Sequence, residues 1–127
     1  SSYRTGFELG FALRDWLEGA TDEVLLGTSL CVNPAAELHQ RGVRKEASWA
    51  IEEAEIRLTR GIRYRAGLDS YMLGLISRCH GTHAMGALLG QLADVLKRDP
   101  NQLALACLPV VRSLVEKAIL LPPRIGE

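Results

Sequence analysis

The chain has 127 residues, and its basic and acidic side chains are equal in number, at 15 each. A composition that is 47% hydrophobic and 24% charged is ordinary for a folded globular domain, and it excludes a disordered chain or a polybasic arm. A chain of this length can bury one core, so we expect a single domain over residues 1–127. Because the sequence opens with Ser1 rather than methionine, this domain also fits a piece of a longer protein.

The cysteines and the apolar runs indicate a cellular setting. Cys31, Cys79 and Cys107 are an odd number of cysteines with no CxxC pair, which predicts reduced thiols rather than a disulfide framework. The longest apolar run, residues 103–111, is far shorter than the roughly 20 residues that cross a bilayer. We therefore expect a cytoplasmic protein that does not enter a membrane.

The first part of the chain shows helical spacing. Apolar residues lie near one face over residues 3–19, which predicts a helix that ends at Gly19. Thr21 is followed by two acidic residues, as at the start of a helix, and this second helix would run to about residue 30. Residues 24–32 also fit a buried extended segment, because periodicity does not separate the two at this length.

The middle of the chain predicts one short helix and one long one. Asn33 and Pro34 suit a helix start, and Gly42 would end the helix that covers residues 34–41. Apolar residues at three- and four-residue steps then predict the longest helix, over residues 43–64. These residues are Ala47, Ala50, Ile51, Ala54, Leu58 and Ile62.

Residues 71–97 predict a pair of core helices that meet near Gly81, the second of them capped by Thr82. In the second helix, one apolar stripe is formed by Met85, Leu88, Leu89, Leu92, Val95 and Leu96. A last helix is expected over residues 102–121, with Pro109 inside it. No segment shows sustained strand alternation. The predicted fold is therefore all-α, a compact bundle of about five to seven helices.

Two pairs of glycines are four residues apart in predicted helices, Gly6 with Gly10 and Gly86 with Gly90. A glycine inside a helix costs about 1 kcal/mol relative to alanine, so such pairs favour a close crossing with another helix. Trp49 lies outside the apolar seam of its predicted helix. We interpret these five residues as a candidate interface with a second copy or another protein. The alternative is that the glycines lie on a solvent-exposed face.

Cys79, His80 and His83 form a CHxxH sequence at the predicted junction of two helices. Such side chains bind zinc, although the spacing matches no standard zinc signature. Completion of the site would need Cys31, His39 or Cys107. The same histidines could instead accept a phosphoryl group on a helical bundle, but the Lys and Gly that follow the histidine of phosphotransfer domains are missing. The simplest alternative is that Cys79 packs inside and the histidines line a turn.

The segment from Arg41 to Arg65 is the most basic part of the chain. Arg57, Arg60 and Arg63 recur every three residues and could neutralise phosphates, with Tyr64 as a stacking surface. Glutamates interrupt this row, and a solvated helix with internal ion pairs explains it as well.

No catalytic signature is present: the sequence has no glycine-rich phosphate loop, no GxSxG elbow and no HExxH motif. We therefore predict a non-catalytic interaction or regulatory module without a cofactor. It would act by packing helices against a second copy or another protein. Nucleic-acid binding through the basic segment is the alternative, followed by a histidine phosphotransfer or metal site at the CHxxH sequence.

Overall fold

A computed structural model describes residues 6–58, 65–67 and 70–123 of the chain. Within these ranges the fold is mixed α/β, with five helices and two small antiparallel sheets, so the prediction of an all-α bundle is wrong. The helices are α1 (Gly6–Gly19), α2 (Asp22–Leu26), α3 (Ser70–Ser77), α4 (Met85–Leu96) and α5 (Pro100–Glu116). The strands are β1 (Cys31–Val32), β2 (Ala36–Lys45), β3 (Ser48–Leu58), β4 (Arg65–Gly67) and β5 (Leu120–Leu121).

The helix start expected at Thr21 is confirmed, and the last helix begins at Pro100 rather than at residue 102. The Thr21 side chain accepts a hydrogen bond from the backbone N–H of Val24 at 3.2 Å and caps α2. Asp99 caps α5 in the same way, through the backbone N–H of Gln102 at 3.0 Å. Each cap satisfies a backbone donor that the first helical turn leaves unpaired.

The pair of core helices predicted over residues 71–97 is confirmed as α3 and α4, but the cap expected at Thr82 is wrong, because α4 begins after Ala84 without a side-chain cap. Helix α4 packs against α2, α3 and α5, and α1 packs against α5. Met85, Leu88 and Leu89 are buried, but Val95 is 71% exposed, and Ala93 is buried instead. Among the described residues, no helix combines the length and the apolar character that crossing a membrane requires.

The middle of the chain is where the helix prediction fails. The sequence predicts helices over residues 34–41 and 43–64, of which residues 59–64 lie outside the described residues. In the described part, β2 and β3 instead form a long antiparallel hairpin, and β4 pairs with the outer side of β3. Strand pairing satisfies the backbone groups of both segments along their length, which outweighs the weak local preference for helix. The register shifts between Arg41, opposite Glu53, and Gly42, opposite Ile51. Glu52 is thus the extra residue of a β-bulge.

A second, two-stranded sheet closes the helical part of the molecule. The last helix ends at Glu116 rather than at residue 121, and the chain returns so that β5 pairs with β1. Ile119 and both residues of β5 are buried in the main core.

Asn33 joins this small sheet to the hairpin. Its side-chain amide donates to the Ala118 carbonyl at 2.8 Å, and its side-chain oxygen accepts from the Ala35 N–H at 2.9 Å. Its backbone N–H donates to the Ile119 carbonyl at 2.9 Å. One residue therefore holds both the C-terminal segment and the turn that leads into β2.

We expect Asn33→Ala to lower the free energy of unfolding by about 1–3 kcal/mol, because a partly buried carbonyl and the turn both lose a partner. Asn101→Ala, at an exposed position of α5, is the matched control and should change stability by less than about 0.5 kcal/mol. Urea unfolding measures both values. Equal effects of the two substitutions would contradict the anchoring role of Asn33.

Candidate interaction surface

The β2–β3 hairpin is anchored at one end only. At its base, Ile56 is buried to 5% exposure in the core, and Ala36 packs against the same core. From Glu37 to Trp49 every residue except Val43 is exposed. The far end closes with a two-residue turn in which Glu46 has a φ of 56°. The hairpin is thus an arm with a fixed base and an exposed end.

One face of this arm carries large apolar side chains in water, and we call it the Trp49 face. The register pairs Leu38 with Ile56 and Arg44 with Trp49, and residues 38 and 44 share a face because side chains alternate along a strand. Trp49 is 72% exposed and Leu38 is 52% exposed. The Trp49 face is therefore defined by the described side chains of Leu38, Gln40, Arg44, Trp49 and Ile56.

The other face of β2 is polar. The His39 ring nitrogen Nε2 lies 3.1 Å from a Glu37 carboxylate oxygen, and both side chains are largely exposed. Arg41 and Lys45 lie further along the same side, towards the turn. The hairpin thus has an apolar side and a charged side.

The row of arginines predicted at every third residue of a helix is not found in the described residues. Arg57 lies on strand β3, opposite Glu37, so the helix with a cation every three residues does not exist at this position. Arg60, Arg63 and Tyr64 lie outside the described residues. The cations that the structure does place at the exposed end of the hairpin are Arg41, Arg44 and Lys45.

Within the chain, one of the paired glycines lies at a close approach between helices. A Cβ atom at Gly86 would lie 3.1 Å from the Leu26 carbonyl oxygen, so this glycine allows α2 to approach α4. Around Gly90, no described atom lies within 4 Å of such a Cβ, and Gly10 approaches only Arg14 of its own helix. Gly6 is the first residue of α1. Contact of these glycines with a second copy or another protein stays a prediction.

The CHxxH residues diverge in space. Cys79 is buried and its thiol donates to the Leu75 carbonyl at 3.4 Å, while His80 and His83 are exposed between α3 and α4. Neither histidine lies on a helix, as a phosphotransfer site on a bundle would require. Within the described part of the chain, no three His, Cys, Asp or Glu side chains lie close enough to hold a metal ion.

Cys31, one of the three residues named as possible additional zinc ligands, lies beside this segment. A β-bridge pairs Cys31 with His80, supported by a hydrogen bond from the Val32 N–H to the Cys79 carbonyl at 3.0 Å. Burial and the nearby Cys31 raise the pKa of the Cys79 thiol from 9.0 to about 11. Cys79 is therefore a protonated core residue at neutral pH, whereas the Cys31 side chain is exposed.

Residues 8–122 match the family model described as a domain of unknown function, DUF7782. The chain belongs to the DUF7782 family. The match contains the whole hairpin and both strands of the small sheet, so the exposed arm is part of the DUF7782 domain itself. No curated protein matches the chain.

We expect one of the three thiols to react quickly with a maleimide under native conditions, because only Cys31 is exposed. Mass spectrometry should detect a single adduct, and Cys31→Ser should remove it. Cys107→Ser is the control and should leave the adduct unchanged. Rapid labelling of the Cys31→Ser variant would show that a buried thiol becomes accessible.

The buried Cys79 thiol also predicts a pH dependence. Because the pKa of the Cys79 thiol is higher in the folded state, this thiol contributes to the stability of the fold below pH 9. The contribution is lost as the pH rises towards 11, because the thiol of the unfolded chain ionises first. Between pH 9 and pH 11, the free energy of unfolding should therefore fall more steeply for the wild type than for the Cys79→Ala variant. Urea unfolding across this range measures the difference. Parallel stability curves for the two proteins would contradict the assignment.

Proposed function

We propose that the chain is a non-catalytic interaction module, an accessory or regulatory domain that presents the Trp49 face to a protein partner. The observation that supports this most directly is the 72% exposure of Trp49 at the end of an anchored arm. Tryptophan is enriched among the residues that dominate binding energy in protein interfaces. The interaction would thus use a β-hairpin instead of the helix packing that the sequence indicated.

The arrangement of the hairpin favours recognition. The buried Ile56 fixes the base, so a partner would meet strands that are already paired and would not have to order them. The extra residue at Glu52 increases the local twist between the base and the end. A preformed arm lowers the conformational cost of binding.

The exposed apolar area of the hairpin would supply part of the binding energy. Covering the exposed parts of Leu38 and Trp49 removes on the order of 200–300 Å² of this chain's surface from water, or about 5–7 kcal/mol before the cost of association. The apolar surface that the partner buries at the same time adds to this figure. A micromolar complex needs about 8 kcal/mol after the cost of association.

The three free cysteines support a reducing compartment as the setting of this function, so we extend the proposal to a cytoplasmic protein. The partner is either a second copy of the chain or another protein.

Nucleic-acid binding is a second candidate, and a specific observation favours it. Arg44 is the register partner of Trp49, and a cation beside an aromatic side chain is typical of single-strand binding. Arg41 and Lys45 are exposed at the same end of the hairpin, on its other face. Such binding would weaken steeply with added salt.

Site-specific photo-crosslinking in the cells that produce the protein tests the proposal. Benzoylphenylalanine in place of Trp49 or Leu38 should yield discrete protein adducts, because both positions would lie in the interface. The same group in place of the exposed Gln102 on α5 is the control and should yield none. Adducts that disappear after nuclease treatment would favour nucleic acid, and no adducts above the control would refute an interaction through this face.

A further inference from the structure

We draw no further inference here: the strongest candidate, the exposed apolar face of helix α5 formed by Leu105, Ala106, Pro109 and Val110, is an unpartnered surface, and nothing in the described part of the structure shows what covers it.

Discussion

The pairing of β1 with β5, completed by Asn33, is the constraint on which the rest of the structure depends. It brings together Asn33 and Ala118, which are 85 positions apart, through a hydrogen bond of 2.8 Å. The same contact closes the helical core with Ile119 and fixes the direction in which β2 leaves that core. Ala118 adopts a positive φ of 61°, a conformation that costs an alanine about 1 kcal/mol, so the surrounding contacts must hold the turn in place.

The hairpin uses this anchor to expose side chains that a small domain would otherwise bury. Ile56 and Leu38 are register partners, but Ile56 is buried in the core and Leu38 is half exposed. The boundary of the core therefore lies at this residue pair. Beyond that boundary the hairpin is held by its own strand pairing and contributes little to the core. Its exposed residues therefore add little to the stability of the core, and the proposed function assigns them to recognition.

The cysteine and histidine residues show how a sequence cluster separates in space. Cys79 points into the core, whereas the neighbouring His80 faces water and pairs through its backbone with Cys31. Adjacent positions on an extended segment point in opposite directions, so nearness in sequence did not give a shared site. Burial then raises the pKa of the Cys79 thiol to about 11, which suits packing rather than reactivity.

The sequence by itself determined where most of the helical part of the protein lies. Local signals sufficed there: Thr21 caps α2, and Met85, Leu88 and Leu89 of α4 face the core. Only the tertiary structure decided that residues 36–58 form strands. Their small and charged residues fit a helix seam as well as a hairpin, and the choice depended on pairing between β2 and β3 and on the distant contact at Ala118. The position of Trp49 follows from the same strand pairing, because the register between β2 and β3 places it beside Arg44.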